Sequence, residues 1–322
     1  MRANRSRPSV KGSSSPYDRF TPTLAFQLAA PQTWAAALTP VLLSYVYCGI
    51  TYSGKLNIFY ALMLLCVSIA TQSAANVLND YADYKKGTDS LENSSEDAFD
   101  AVLVYNNLNP RSVLGFGVAL LVVAVGLGVY LALQTSWLLL VIGVIGALTI
   151  VFYSGGRTPI SYLPIGEVII GFVMGGLIPL ACCYVLSGIL EPLVLIVALP
   201  CMFGIGMILF TNNTCDIEKD IPAQRRTASV VLGRARAVRT YRSMVIVWIL
   251  ICVAIVGIFY GPGMPFILLM VLALFPTLRA LLSNPLIQAS RDGAMAQITT
   301  LNVAIMTFYC IALASSAIIT WV

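Results

Sequence analysis

Two short stretches combine amide and carboxylate side chains at a spacing that suits a metal ion. Residues 76–83 (NVLNDYAD) follow one very apolar segment, and residues 212–220 (NNTCDIEKD) follow another. Each stretch places an Asn four residues before an Asp, with a further Asp about one helical turn later. Positions at these separations share one face of a helix. The pattern therefore predicts two matched polar faces, formed by Asn76, Asp80 and Asp83 and by Asn212, Asp216 and Asp220.

Two matched acidic faces favour a bound cation over simple solvation. Acids at the C-terminal end of a helix oppose its dipole, and like charges one turn apart repel. A divalent cation removes both penalties, and Mg²⁺ in particular prefers oxygen ligands and binds phosphate oxygens. We therefore predict that the four carboxylates are catalytic Mg²⁺ ligands and that the Asn side chains supply further ligands or hydrogen-bond donors. The predicted ligands are Asp80, Asp83, Asp216 and Asp220, with Asn76 and Asn212 as further candidates and Asn79 as a substrate-binding amide.

Basic residues beside these stretches predict binding of a diphosphate. Arg225 and Arg226 follow the second stretch, and Arg157 ends the loop sequence YSGGR between the two. Arginine donates paired, charge-assisted hydrogen bonds to phosphate oxygens. Lys86 follows the first stretch. It either binds the diphosphate or anchors a membrane helix at the cytoplasmic face. Tyr153 is either a substrate-binding residue, through its hydroxyl or ring face, or a tyrosine of the membrane interface.

The absence of histidine and the placement of the cysteines and of Glu167 limit the kinds of catalysis that are possible. The chain has no histidine, which removes the usual general base and histidine ligation of metals. Its eight cysteines show no C-x-x-C spacing and nearly all lie in apolar runs, so we expect small buried side chains without disulfides. Glu167 lies near the start of an apolar run, where it is either a functional carboxylate or bonded to a neighbouring helix.

The elements that must position these residues are membrane helices. Of the 322 residues 58% are hydrophobic and only 10% charged, with a mean hydropathy of +0.86, which is typical of an integral membrane protein. Apolar runs long enough to span a bilayer predict an all-α bundle of nine transmembrane helices. The runs cover residues 24–50, 57–79, 112–133, 136–153, 164–188, 191–213, 241–260, 264–283 and 298–321.

The basic residues predict the orientation of this bundle. Of the 19 Lys and Arg residues, Lys55 alone falls in the loops on one side, which places the other side and the N-terminus in the cytoplasm. Residues 1–20 are predicted to be a disordered basic arm, and residues 21–322 the membrane domain, whose C-terminus ends outside. Topology therefore accounts for the net charge of +5, and we expect no nucleic-acid or protein partner. Both acidic stretches then face the cytoplasm from the cell membrane.

The combined motifs resemble the UbiA-type intramembrane prenyltransferases. The resemblance covers essentially the whole membrane region and rests on both acidic stretches, the YSGG run at 153–156 and the RRT run at 225–227. Within that family, the first motif (76–89, ending in KGTD) and the second (212–220) are most similar to the branch that prenylates 1,4-dihydroxy-2-naphthoate. Two features depart from this branch. The first helix opens with Ala30-Pro31 in place of Arg-Pro, and the loop at 100–105 reads DAVLVY.

The resemblance implies a Mg²⁺-dependent enzyme of the quinone pathway. It would transfer a polyprenyl group from its diphosphate to 1,4-dihydroxy-2-naphthoate, with loss of CO₂, to give demethylmenaquinone. Transfer to 4-hydroxybenzoate, haem or a glycerol-phosphate lipid is the alternative within the family. A cation-coupled transporter is the alternative from another class, but it predicts acids at the middle of the spans, and here they lie at the ends.

Overall fold

Apolar helices dominate the structure, a computed structural model that describes residues 17–52, 57–87 and 102–319. Most of the predicted basic arm, the end of the first motif after Gly87, and the C-terminal residues lie outside these ranges. Within them the chain forms α1 (Pro22–Leu28), α2 (Trp34–Thr51), α3 (Ile58–Lys86), α4 (Val102–Tyr105), α5 (Pro110–Gln134), α6 (Leu138–Ser154), α7 (Gly166–Phe172), α8 (Ile178–Ser187), α9 (Leu193–Val197), α10 (Leu199–Cys215), α11 (Ile217–Asp220), α12 (Ala228–Leu232), α13 (Arg234–Phe259), α14 (Met264–Ser283) and α15 (Arg291–Ile319).

Each of the nine predicted apolar runs corresponds to helical structure, although not all of them to one long helix. Among the described residues, seven helical segments are long and apolar enough to cross a membrane. The run at 136–153 is α6, an apolar helix of 17 residues. The run at 191–213 is divided into α9 and α10, because Pro200 has no N–H to continue the hydrogen-bond ladder. The all-helical prediction is thus confirmed, with seven long spans.

Local sequence signals set the ends of α3, which carries the first motif. The side chain of Asn57 accepts hydrogen bonds from the main-chain N–H groups of Phe59 and Tyr60, at 3.0 and 3.3 Å, and so caps the N-terminus. Gly87 ends the helix with a φ of +70°, a left-handed conformation that glycine adopts without steric cost. The helix therefore extends well beyond the predicted apolar run and carries the motif on its final turns.

Close backbone contact fixes α7 and α8 against α10. A π-helical turn, Val173–Leu177, joins α7 to α8, and Gly175 in this turn and Gly171 in α7 face the backbone of α10. A Cβ atom at Gly175 would lie only 2.5 Å from Met202 Cα, and one at Gly171 would lie 2.7 Å from the Met202 carbonyl oxygen. Only glycine permits this approach, as in other tightly packed membrane helices.

Buried aromatic residues satisfy backbone groups at the break between α9 and α10. Trp248 and Tyr309 are fully buried among α2, α10, α13, α14 and α15. The indole N–H of Trp248 donates to the Pro200 carbonyl at 2.7 Å, and the Tyr309 hydroxyl donates to the Val197 carbonyl at 2.8 Å. The interrupted helix therefore keeps its backbone hydrogen-bonded inside an apolar environment, as a lipid-embedded protein requires.

The outward faces of the long helices are strongly apolar. Leu133 and Leu272 expose 77% and 73% of their surface, and many other large apolar side chains are similarly placed. An exterior of this kind suits lipid and not water, so the chain is an integral membrane protein. All eight cysteines are free in the structure; six are buried as predicted, whereas Cys66 is exposed and Cys310 is half-buried.

Candidate active site

The first acidic stretch lies on the C-terminal turns of α3. Asp80 is buried with 4% of its surface exposed, and Asp83 is half-buried. Because α3 continues to Lys86, the three polar residues at positions 76, 80 and 83 lie on one helix. The two carboxylates therefore project from adjacent turns of the same element.

The Asn76 side chain forms hydrogen bonds with the segment that connects α1 to α2. At this break Ala30 has a φ of +47°, and the chain turns sharply before α2. The Asn76 Nδ2 atom donates to the Ala29 carbonyl at 3.0 Å and to Thr33 Oγ1 at 2.8 Å, while Gln72 Nε2 donates to Asn76 Oδ1 at 3.3 Å. Asn76 thus connects the first membrane segment to the helix that carries the first motif.

Asn79 links the first motif to the end of α6. Its Nδ2 atom donates to Asp83 Oδ2 at 3.0 Å, and the Ser154 hydroxyl donates to its Oδ1 atom at 2.7 Å. Ser154 directly follows Tyr153, so this short network orients the Asp83 carboxylate beside the predicted YSGG run.

The second acidic stretch crosses a helix end. We expected Asn212, Asp216 and Asp220 to share one helix, but α10 ends at Cys215 and the backbone leaves helical geometry at Asp216. Near this end the Thr214 carbonyl accepts a hydrogen bond from Arg234 at 2.6 Å, in place of an intrahelical donor. The short helix α11 then follows, and Asp220 is its last residue. The single-helix prediction is therefore wrong for the second motif.

Asp220 is buried and paired with Arg225. The Arg225 Nε atom lies 3.4 Å from Asp220 Oδ1, and the Arg225 main-chain N–H donates to the Asp220 carbonyl at 3.0 Å. The guanidinium also lies over the Tyr162 ring, 5.2 Å from its centroid. Burial raises the pKa of Asp220 to about 6, although the positive charge of Arg225 opposes the rise. The cost of desolvation thus exceeds the benefit of this one ion pair.

Arg291 is a site residue that sequence reasoning missed. It is the first residue of α15, and only 8% of its surface is exposed. Its Nε atom donates to Asn212 Oδ1 at 3.0 Å and lies 3.3 Å from Asp216 Oδ2. The sequence offered one signal, an arginine just before the last apolar run, which we counted only as a cytoplasmic charge. The fold brings it to the second motif from 79 residues away.

The two motifs lie within electrostatic range of each other. The charge of Asp83 acts on both Asp220 and Arg225. The Tyr153 phenol interacts electrostatically with Arg225, Asp83 and Asp220. One carboxylate of each motif, one predicted arginine and the predicted tyrosine are therefore within electrostatic range of one another.

The three other predicted basic residues are either exposed or have a side chain outside the described part of the structure. The side chain of Arg157 is exposed in the loop that follows α6. Arg226 is also exposed, and its main-chain N–H donates to the Tyr162 carbonyl at 3.0 Å. Lys86 is the last residue of α3, but its side chain falls outside the described part of the structure.

The carboxylates suit a divalent cation chemically, although they do not converge on one point. Asp80, Asp216 and Asp220 are each at most 5% exposed, and both Asp220 carboxylate oxygens are buried without a hydrogen bond from the described residues. Such oxygens are the ligands that Mg²⁺ prefers. Among the described side chains, however, no three Asp, Glu, Cys or His groups are close enough together to hold a metal. In this structure the carboxylates of the second motif are paired instead with Arg291 and Arg225.

Glu167 is bonded to a neighbouring helix, one of the two roles considered for it. Its Oε1 atom accepts a hydrogen bond of 2.8 Å from Asn213 Nδ2 on α10. The carboxyl group is buried and interacts electrostatically with Arg225. A buried acid therefore lies beside the predicted site without belonging to either motif.

Helices and acidic motifs of this kind define a membrane-embedded prenyl-transfer enzyme, and comparison with known proteins gives the family. Residues 37–299 match the UbiA prenyltransferase family. The chain belongs to this family and is an enzyme that transfers prenyl groups.

Individual relatives agree with this assignment. The chain is 30% identical over 228 residues to the 1,4-dihydroxy-2-naphthoate octaprenyltransferase of Bacillus subtilis (strain 168), an alignment that covers 71% of this chain and 72% of that protein. Its fold is similar to a UbiA homolog from Archaeoglobus fulgidus bound to DMAPP and Mg²⁺ (TM-score 0.58, 16% identity, 88% and 99% of the two chains). It is also similar to a digeranylgeranylglyceryl phosphate synthase (TM-score 0.61, 16% identity, 91% and 98%).

Proposed function

We propose that this enzyme transfers a polyprenyl group from polyprenyl diphosphate to an aromatic acceptor in a Mg²⁺-dependent reaction. The observation that carries the proposal is the arrangement of the second motif: buried Asp216 and Asp220 are each paired with an arginine, and Asp220 lies within electrostatic range of Asp83 in the first motif. Carboxylates and arginines in one apolar setting are the groups needed to hold a cation and a diphosphate together.

The acceptor we propose is 1,4-dihydroxy-2-naphthoate, with the reduced (hydroquinone) form of demethylmenaquinone as the immediate product of the transfer. The support is the similarity to the Bacillus subtilis enzyme named for that acceptor. The residues that end the two motifs, KGTD at 86–89 and DIEKD at 216–220, are also similar to that branch of the family. Transfer to a different aromatic acceptor or to a glycerol-phosphate lipid remains the competing activity, and the experiment below includes those acceptors.

The residues proposed to hold Mg²⁺ are Asp80, Asp83, Asp216 and Asp220, with Asn212 beside them. When bound, the cation would act as a Lewis acid on the diphosphate and fix its position. Arg225, and Arg291 once it has left Asp216, would bind the remaining diphosphate charge. Arg157, Arg226 and Lys86 would approach the diphosphate from the cytoplasmic loops.

The chain's own groups would then control the transfer. The bond between the allylic carbon and the diphosphate oxygen breaks, and its electron pair leaves with the diphosphate. The apolar surroundings exclude water from the allylic cation, and the ring face of Tyr153 stabilises it. An electron-rich ring carbon of the acceptor supplies the pair for the new carbon–carbon bond. The acceptor carboxylate leaves as CO₂, and its bonding pair returns to the ring.

We further propose the topology predicted from charge, with nine membrane crossings in the plasma membrane and the site at the cytoplasmic face. The support is the distribution of Lys and Arg, together with the apolar helix α6 and the pair α9 and α10, which would complete the count beyond the seven long spans. Residues 1–20 would form a basic cytoplasmic arm preceding a membrane domain of residues 21–322.

The activity is tested with the purified full-length protein in lipid nanodiscs. The protein is incubated with Mg²⁺, a labelled polyprenyl diphosphate and separate acceptors: 1,4-dihydroxy-2-naphthoate, 4-hydroxybenzoate, haem and a glycerol-phosphate lipid. We expect a prenylated product and CO₂ release with the first acceptor, and loss of product when Mg²⁺ is chelated. Asp80→Ala and Asp216→Ala should each lower turnover at least about a hundredfold, since each removes a charge-bearing ligand.

The control for these variants is Glu191→Gln, in the loop before α9, where the Glu191 Oε1 atom accepts a local hydrogen bond of 3.2 Å from the Leu193 N–H that a glutamine oxygen can also accept. Its turnover should equal that of the unaltered protein. Absence of product with every acceptor would refute the proposed function. Normal turnover in Asp80→Ala or Asp216→Ala would refute the assignment of the metal ligands.

A further inference from the structure

Glu167 has one carboxylate oxygen that is used and one that is not. Its Oε1 atom accepts the 2.8 Å hydrogen bond from Asn213, whereas Oε2 is buried and receives no hydrogen bond from the described residues. The residue is only 8% exposed. Leaving a buried carboxylate oxygen unsatisfied is costly, and acids within membrane helices usually line substrate paths. The arrangement calls for a hydrogen-bond donor that the described protein residues do not supply.

The backbone around Glu167 prevents this carboxylate from moving away. Glu167 lies in the first turn of α7, whose Gly171 packs on α10 so closely that an added Cβ would lie 2.7 Å from the Met202 carbonyl oxygen. An added Cβ at Gly206 of α10 would lie 3.3 Å from the Glu167 carbonyl oxygen. Since α10 also carries Asn213, the donor and the acceptor of the hydrogen bond sit on two elements in direct backbone contact. The unused oxygen therefore has a fixed position.

Neighbouring amides on α10 bond to different acidic parts of the structure. Consecutive residues on a helix point about 100° apart. Asn212 accordingly bonds to Arg291 beside Asp216, whereas Asn213 bonds to Glu167. Glu167 also interacts electrostatically with Tyr153 and with Arg225, the partner of Asp220. It therefore lies beside the proposed diphosphate site without belonging to either acidic motif.

We propose that Glu167 is a substrate-binding residue whose Oε2 atom accepts a hydrogen bond from a ring hydroxyl of the aromatic acceptor. The proposal rests on the function proposed above. A ring hydroxyl supplies the missing donor, whereas the oxygens of an ionised diphosphate have no proton to donate. A phenol that donates to a carboxylate also pushes electron density into its ring. Glu167 would therefore both select hydroxylated acceptors and make the attacking ring carbon more nucleophilic.

The first test measures KM for each substrate separately in Glu167→Gln. The glutamine keeps the size of the side chain and an oxygen for Asn213, but it places an NH₂ group where Oε2 was. We expect KM for the acceptor to rise at least about tenfold, as for loss of a hydrogen bond to a charged group. KM for the polyprenyl diphosphate should stay within about twofold of its original value, as should both constants in Glu191→Gln. An unchanged acceptor KM would overturn the proposal.

The second test changes the substrate and needs no variant that must fold. Methylation of the ring hydroxyls, tested one at a time, removes the donor from the acceptor. One methyl ether should raise the acceptor KM of the unaltered enzyme at least about tenfold, yet cause little further loss in Glu167→Gln, because both changes remove the same hydrogen bond. Equal KM values for all the ethers and the parent acceptor, or fully additive losses, would refute the role of Glu167 while leaving the proposed transferase intact. Failure to prenylate any aromatic acceptor would refute both.

Discussion

At the scale of the residue, the second motif contains two acids that are each paired with an arginine. Asp216 is held by Arg291 and Asp220 by Arg225, at 3.3 and 3.4 Å. A buried carboxylate that loses its only counter-ion is strongly destabilising, because desolvation is then uncompensated. We therefore propose two consecutive functions for the arginines, in line with the proposed function. They stabilise the acids when no cation is bound, and they would become available to a diphosphate if a cation replaced them at the acids.

This exchange of partners predicts a specific response from Arg291→Ala. Removing the guanidinium leaves Asp216 without that ion pair, so the apparent Tm of the metal-free protein should fall by several degrees. Added Mg²⁺ with inorganic diphosphate should raise the Tm of the variant more than that of the unaltered protein, because the cation replaces the missing charge. Thermal unfolding in detergent, followed by intrinsic fluorescence, measures both effects.

Arg279→Ala is the matched control for this experiment. Arg279 lies near the C-terminal end of α14 with its side chain exposed, so its removal should change neither the Tm nor the response to Mg²⁺. If Arg291→Ala behaved like this control, Arg291 would have no role in stabilising Asp216.

At the scale of the element, the contact between α7 and α10 positions residues from different parts of the site. The π-helical turn after α7 places Gly175 against the backbone of α10. The same α10 carries Asn212 and Asn213, which bond to Arg291 and to Glu167. A shift of α10 by a few tenths of an ångström would therefore alter the second motif and the Glu167 carboxylate together.

Gly175→Ala tests how strongly this contact is constrained. The added Cβ would lie 2.5 Å from backbone atoms of Met202, which cannot rotate away as a flexible side chain can. We expect a loss of about 1–3 kcal/mol in stability, as for other overpacked sites, together with reduced turnover. Gly128→Ala in α5 is the control, since nothing lies within 4 Å of its added Cβ and alanine favours helix. Equal apparent Tm values for the two variants would show that the contact tolerates a methyl group.

Sequence reasoning predicted the elements better than their breaks and contacts. Hydropathy located every long helix, and the spacing of Asp80 and Asp83 correctly placed them on the end of α3. The same spacing argument failed at Asp216, because it contains no information about the Arg234 side chain that binds the Thr214 carbonyl near the helix end. Arg291 was missed for a related reason, since a contact across 79 residues depends on tertiary packing and leaves no local pattern.

At the scale of the whole molecule, the site lies at one end of a bundle whose exterior is apolar. Both motifs occur where long apolar helices end, and the arginines that contact them come from α15 and from the loop after α11. Charge and hydrogen-bonding capacity are therefore concentrated at one end of the bundle, while the remainder is suited to the hydrocarbon interior of a bilayer.

The proposed nine-crossing topology makes a prediction about the chain termini. A reporter fused after Val322 should face the outside, so alkaline phosphatase placed there should be active and green fluorescent protein should be dark. The same reporters fused before Met1 should give the opposite pattern and serve as the internal control. A fluorescent C-terminal fusion would show an even number of crossings and refute the count.

The arginine partners of the acidic motifs also bear on how such a protein is made. A chain entering a membrane must accommodate its buried charges before any substrate reaches it. Because Asp216 and Asp220 are paired with arginines of the same polypeptide, this helix bundle can bury their charge during assembly before any ligand is bound.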